Sequence, residues 1–176
     1  MLGFLSKIFG SKSDRDIKHI RPLVDKIKEE FAKLESLSHD ELRAKTSDFK
    51  QRITAYLADI DQEINSLRTE AEQIEVEMAE KNAIYDKIDK LTKERDKKLE
   101  EVLMEILPEA FAVVKETARR FTENTSLEVT ASDFDRELAA QKTNIEIKGD
   151  KAFWRNSWIA AGTTVTWNMV HYDVQL

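Results

Sequence analysis

Thirty-four carboxylates and three histidines are the groups in this 176-residue chain able to do acid–base or metal chemistry. Their spacing argues against both. His19, His39 and His171 lie far apart, so no H-x-x-x-H ligand pair can be written. No Glu-x-x-His occurs, and a ferritin-like di-iron site wants that pattern on two helices. The absence of cysteine removes disulfides and thiolate metal sites, and fits a reducing compartment. Glu70, Glu72, Glu75 and Glu77, like Glu100, Glu101 and Glu105, read most simply as solvated helix faces. Nucleotide and acyl chemistry fare no better. Gly3, Gly10, Gly149 and Gly162 are far apart and none precedes a lysine, so no phosphate-cradling G-x-G-x-x-G or G-x-x-x-x-G-K-[ST] loop exists. No G-x-S-x-G nucleophile turn occurs either. The chain does not read as a self-contained enzyme.

Charge is unevenly placed. The net charge is −6, which argues against a general nucleic-acid binder. Within the first 28 residues, however, Lys7, Lys12, Arg15, Lys18, Arg21, Lys26 and Lys28 face only three aspartates. Leu2, Leu5 and Phe9 fall on one helical face there, with Phe4 and Ile8 beside them. Leu2, Phe4, Leu5, Lys7, Ile8, Phe9 and Lys12 are therefore the candidates for touching an anionic membrane surface. The competing reading is a helix packed on its own protein or frayed. No apolar run approaches the roughly 18 residues of a membrane span.

The elements that would position any site are mainly helical. Between Pro22 and Pro108 there is neither glycine nor proline. A first helix is expected from about Pro22 to Leu34. Ser38 with Glu41 forms a capping-box signal for the next, with Leu37 and Leu42 as a staple. From Ile60 the apolar positions step by four and three: Ile60, Ile64, Leu67, Ala71, Ile74 and Met78. They continue as Lys81, Tyr85, Ile88, Thr92, Arg95, Leu99, Val102 and Ile106, with polar breaks. One helix of that length is unusual, so two antiparallel helices turning near Glu80-Lys81-Asn82 are expected. This coiled-coil-like hairpin, about residues 57–102, is either a solvated structural arm or a partner or dimer contact. Pro108 is expected to start or kink the following helix, with Phe111, Val114, Ala118 and Phe121 facing a core.

A composition shift follows. Leu127–Thr130 alternates like a strand, Ser132 with Asp135 caps a short helix to about Gln141, and Gly149-Asp150 joins two alternating runs as a hairpin. Thr163–Trp167 suggests a further strand. Trp154, Trp158 and Trp167 are read as core of this small unit, or as a peptide- or base-stacking platform. The expected fold is mainly α: a long helical hairpin, with a small antiparallel β unit near the C-terminus.

Three stretches resemble one family. Residues 105–120, EILPEAFAVVKETARR, closely resemble the ILPEAFAVVREAARR segment of the SecA preprotein translocase motors. His171-Tyr172-Asp173-Val174-Gln175-Leu176 is similar to that family's H-F-D-V-Q-L, and Glu41–Thr46 to its ELRAKT. All three occur in the family's order, which makes the resemblance specific. It implies the N-terminal piece of an ATP-driven motor that pushes secretory preproteins through a SecY-type membrane channel. That motor works from the cytoplasm, peripherally on the inner membrane and its acidic phospholipids.

The resemblance further implies basic amphipathic helices over 1–34 and a helical region over 35–121. Two stretches depart from the family's usual pattern and are read as insertions, the coiled-coil-like hairpin at about 57–102 and the Trp-rich α+β unit at 122–170, while 171–176 is expected to start a truncated RecA-like nucleotide-binding domain. The family's Walker loop, T-G-E-G-K-T, would follow Leu176. Gln175 stands where the family recognises the adenine of ATP, and Tyr172 where it usually has Phe, near the base. A homodimer is a further expectation. The other reading of the chain is a stand-alone helical structural or adaptor protein with no nucleotide role.

Overall fold

The computed structural model describes residues 12–73 and 77–176, with side chains from residue 16. The membrane-contact candidates Leu2, Phe4, Leu5, Lys7, Ile8 and Phe9, and Ile74 of the helical seam, lie outside the described residues. Lys12 opens the first described helix.

The described elements run α1 Lys12–Leu34, α2 His39–Ala71, α3 Met78–Glu123, β1 Ser126–Thr130, α4 Asp133–Ala139, β2 Ile145–Lys148, β3 Lys151–Arg155, β4 Ser157–Ala160 and β5 Thr163–Thr166. A 3-10 turn at Asp173–Gln175 ends the order. Mainly helical with small antiparallel sheets is thus the observed class. The chain divides into two compact units, Met1–Lys45 with Pro108–Leu176, and Thr46–Leu107.

The Thr46–Leu107 unit is an antiparallel helix pair. Arg52 reaches Glu105, Tyr56 reaches Glu101, Asp61 meets Arg95 and Glu63 meets Lys87, so one number falls as the other rises. Leu57, Ile60, Ile64, Leu67 and Ala71 line the α2 side of its core in alternating steps of three and four. Ile84 and Ile88 answer from α3. The cross-helix ion pairs are partly exposed and contribute at most about 1 kcal/mol each. The apolar seam therefore decides the pairing.

Several expectations are corrected here. Among the described residues α2 ends at Ala71 and α3 opens at Met78, so Glu80-Lys81-Asn82 lie inside α3 and not at a turn. Tyr85 is 52% exposed while Ile84 is buried. Met78, which opens α3, is 75% exposed. The extrapolated register otherwise holds on α3: Ile88, Val102 and Ile106 are buried and Lys81, Thr92, Arg95 and Leu99 half-buried, so only Tyr85 gives way to its neighbour Ile84. Pro108 does not start a helix; α3 runs through it for 46 residues. Pro22 likewise sits inside α1, which begins ten residues earlier than expected at Lys12. In both cases the flanking helix formers outweigh one lost backbone bond.

In the other unit, α1 buries Val24, Ile27 and Leu34. Of the expected inward face of α3, Ala118 is buried and Phe121 half-buried, but Phe111 and Val114 are 38% and 55% exposed, and Ala112, Glu116 and Arg120 go inward instead. A buried ion pair, Glu116 with Arg120 at 2.7 Å, replaces part of the expected apolar stripe.

The β segment follows its local signals. β1, with Leu127 and Val129 buried, pairs antiparallel with β3, and β3 pairs with β2 in the order β1-β3-β2. Gly149, at φ +61, turns β2 into β3 where a side chain would be strained. β4 and β5 form a separate two-stranded hairpin, closed by Ala161 (φ 49) and Gly162 (φ 78). Two positive φ values in a two-residue loop match the right-handed twist of a hairpin. The tryptophans do not fill this core. Leu127, Val129, Ile145 and Ala152 do, whereas Trp154 and Trp167 are half-buried and Trp158 is 37% exposed.

Candidate functional site

The residues singled out for base contact lie on the strap that follows β5. Its course is set by polar anchors near the C-terminal end of α3. Trp167 N–H donates to the Asn156 carbonyl at 2.8 Å, and the Asn156 amide donates to the Phe121 carbonyl at 3.1 Å. Thr122 Oγ1 shares its one proton between the Ala118 carbonyl of its own helix at 2.9 Å and the Met169 carbonyl at 3.2 Å. Farther on, Lys28 of α1 forms an ion pair with Asp173. That hydrogen bond holds the Asp173 carboxyl below its ordinary value, with the Lys28 and Lys115 charges adding to it.

The strap ends in a closed turn. Gln175 N–H donates to the Tyr172 carbonyl at 2.8 Å. In return Tyr172 N–H donates to Gln175 Oε1 at 2.9 Å. The Tyr172 ring is 73% exposed and Val174 92% exposed, so the turn presents its residues outward. The structure thus brings Tyr172 and Gln175 together through two reciprocal bonds. Just before them, the rings of Trp167 and His171 lie 6.4 Å apart. Trp167 Nε1 and His171 Nδ1 are buried there with no hydrogen-bond partner.

Chemically the turn can read a flat polar edge. An amide offers both a donor and an acceptor, and the exposed ring offers a stacking face. It holds no nucleophile and no acid–base pair. Among the described residues, no group of three or more His, Cys, Asp or Glu could hold a metal ion.

Two ionic nodes in the same compact unit were missed by sequence reasoning. In the first, Arg120 is 5% exposed and uses its whole guanidinium. Nε donates to Glu116 at 2.7 Å, one terminal nitrogen to His39 Nδ1 at 3.0 Å, and the other to the carbonyls of Leu34 (3.1 Å) and Leu37 (2.7 Å). Arg120 thereby binds the last carbonyl of α1 and the Leu37 carbonyl of the loop that follows, and braces the start of α2. Because arginine only donates, His39 Nδ1 is the acceptor and its proton sits on Nε2. Burial pushes the Glu116 carboxyl up, but hydrogen bonds from Arg119 and Arg120 outweigh it and hold it below the ordinary value.

The second node is Asp135, fully buried. One carboxylate oxygen accepts from Arg43 at 2.8 Å and from Trp154 Nε1 at 3.0 Å. The other accepts from Ser132 N–H at 2.8 Å and Ser132 Oγ at 2.7 Å. Burial raises this carboxyl, yet the Arg43 and Ser132 bonds win and depress it to about 2. Nearby, Asp40 accepts from Thr130 N–H and Oγ1 at 2.9 and 2.7 Å. The start of α2 thus grips the β segment at two points. The sequence carried half of each signal. Glu116 precedes Arg119 and Arg120 by three and four residues, and Ser132 precedes Asp135 by three. The long-range partners Leu34, His39, Arg43 and Trp154 leave no local pattern.

Comparison with known proteins matches residues 5–176 to the family described as the SecA DEAD-like domain. The protein translocase subunit SecA of Cytophaga hutchinsonii is 51% identical over 177 residues, covering 100% of this chain and 16% of that protein. That of Phocaeicola vulgatus is 51% identical over 174 residues, covering 98% and 16%. That of Porphyromonas gingivalis is 47% identical over 173 residues, covering 98% and 15%. The chain therefore spans only about a sixth of the length of these curated relatives. No solved structure matches it. With the family match running through both helical units, the β segment and the Tyr172–Gln175 turn, the chain belongs to the SecA DEAD-like domain family.

Proposed function

We propose that this chain serves as the N-terminal part of an ATP-driven motor that moves secretory preproteins through a SecY-type channel, and that Gln175 reads the adenine of ATP. The observation that carries this reading is whole-chain identity near 50% to proteins named translocase subunit SecA. It favours the motor over the stand-alone adaptor. The closed, outward-facing turn supports the adenine role. A side-chain amide can donate to adenine N7 and accept from N6–H₂. Tyr172, exposed beside it, supplies a ring for the base.

The phosphates need other residues, because these 176 residues contain no phosphate-cradling glycine loop. Hydrolysis in this reading belongs to residues outside this chain. Leu2, Phe4, Leu5, Lys7, Ile8, Phe9 and Lys12 would place the motor peripherally on the acidic cytoplasmic face of the inner membrane. No described helix is long and apolar enough to cross a membrane. The coiled-coil-like Thr46–Leu107 pair remains the candidate surface for a partner or a second copy.

The test is ATP-driven preprotein import into membrane vesicles by a full-length SecA subunit carrying this segment. Gln175→Ala is expected to raise the ATP concentration needed for half-maximal import about tenfold, for the loss of two base contacts. An unchanged requirement refutes the adenine role.

A further inference from the structure

We infer that the backbone N–H of Tyr172 fixes which way round the Gln175 amide faces, and so sets the site's preference for adenine over guanine. The inference rests on the proposed role of Gln175 in reading the base. A glutamine amide is a two-sided reader whose oxygen and nitrogen exchange places when its last torsion turns over. Adenine presents the N7 acceptor beside the N6–H₂ donor, whereas guanine presents two acceptors, N7 and O6. An amide free to turn can satisfy either base in part. Discrimination requires that the oxygen be kept in one place.

The turn does this with its own main chain. Tyr172 N–H donates to Gln175 Oε1 at 2.9 Å, while Gln175 N–H closes the ring of bonds at the Tyr172 carbonyl, 2.8 Å away. A reversed amide would set its NH₂ against the Tyr172 N–H, donor against donor, and lose the bond. An amide oxygen has two lone pairs. One is taken by Tyr172, and the second is left to accept from N6–H₂ while Nε2 donates to N7. Guanine O6 would meet that second lone pair acceptor to acceptor. The Tyr172 main chain thus acts as a positioning group. Its ring, 73% exposed, has no part in holding the amide.

Tyr172 sits at φ −78, a value proline adopts without strain. Tyr172→Pro therefore deletes the N–H and leaves the chain path available, while Tyr172→Ala keeps the N–H and deletes the ring. ATP and GTP affinities are measured for the full-length SecA subunit carrying this segment, as wild type, Y172P, Y172A and Q175A. Y172P is expected to lower the ATP-to-GTP affinity ratio about three- to tenfold, the range for one hydrogen bond. Y172A should leave the ratio unchanged, whatever it does to affinity. If Q175A leaves both ATP affinity and the ratio at wild type, the base-reading role itself fails. If Q175A abolishes discrimination and Y172P retains the wild-type ratio, the inference alone is overturned. A second measurement does not depend on the proline variant folding. In the 176-residue chain, amide hydrogen exchange at Tyr172 should be at least about threefold slower in wild type than in Q175A. Equal rates overturn the inference.

Discussion

Replacing Asp135 by asparagine isolates the charge of the buried node from its shape. Each carboxylate oxygen faces a group that can only donate: Arg43 and Trp154 Nε1 on one side, and the Ser132 N–H, beside the Ser132 hydroxyl, on the other. Whichever way the asparagine amide turns, its NH₂ meets a donor that cannot accept. Depression of the carboxyl from 3.8 to about 2 corresponds to roughly 2 kcal/mol of folding free energy. Asp135 is fully buried, whereas its partner Arg43 is 35% exposed, so the figure is an upper one. The loss for Asp135→Asn near neutral pH should therefore be at most about 2–3 kcal/mol.

The pH dependence is specific. Because the folded value lies below the unfolded one, the contribution is complete above about pH 4 and fades as pH falls toward about 2. Urea unfolding followed by tryptophan fluorescence is the assay, since Trp154, Trp158 and Trp167 all lie in the segment this node supports. The wild-type minus variant difference should stay constant from pH 7 to about pH 4.5, then shrink toward pH 3. A difference that does not vary with pH would show that the ionised carboxylate is not what holds the node.

Arg120→Lys should cost about 3 kcal/mol despite keeping the charge, because one ammonium cannot reach Glu116, His39, Leu34 and Leu37 together. Denaturant unfolding followed by helical circular dichroism measures it, and a loss under about 1 kcal/mol contradicts the bracing role. Ala161→Gly should instead stabilise the β4–β5 hairpin by roughly 1 kcal/mol, since Ala161 occupies φ 49 where a Cβ is strained. Slower amide exchange in β4 and β5 is the expected signature, and faster exchange refutes the strain argument.

What the sequence made legible was local. Ser38 with Glu41 forms its capping box at 2.7 and 3.2 Å, Ser132 with Asp135 forms another, and Gly149-Asp150 turns its hairpin. Each signal spans at most four residues, so backbone chemistry settles it without tertiary help. The α2 side of the helix pair was legible for the same reason, because one face repeats. Beyond Pro108 the inward face of α3 was legible only in part, at Ala118. Phe111 and Val114 look like core on hydrophobicity, yet Glu116 and Arg120 are buried because carbonyls at Leu34 and Leu37 need a donor there. That need arises from a loop some 80 residues away. For the Tyr172–Gln175 turn, residue chemistry alone offered nothing at Gln175. The family resemblance pointed to it, and the reciprocal Tyr172 bonds became visible only with the backbone in place.

Magnitudes also decide which element positions that turn. The Lys28–Asp173 pair ties it to α1, but both side chains are about half exposed, so the pair contributes little. The bonds from Trp167 to Asn156, Asn156 to Phe121 and Thr122 to Met169 are shared with the backbone and recur along the strap. They converge on the end of α3, where Arg120 grips the α1–α2 loop one residue before Phe121. Three consecutive residues therefore serve three clients: Arg120 holds the helix termini, the Phe121 carbonyl holds the β segment through Asn156, and Thr122 holds the strap. The paired arginines of the ETARR stretch act here through architecture. They hold the end of α3 where the strap is anchored, and the strap in turn sets where Gln175 stands.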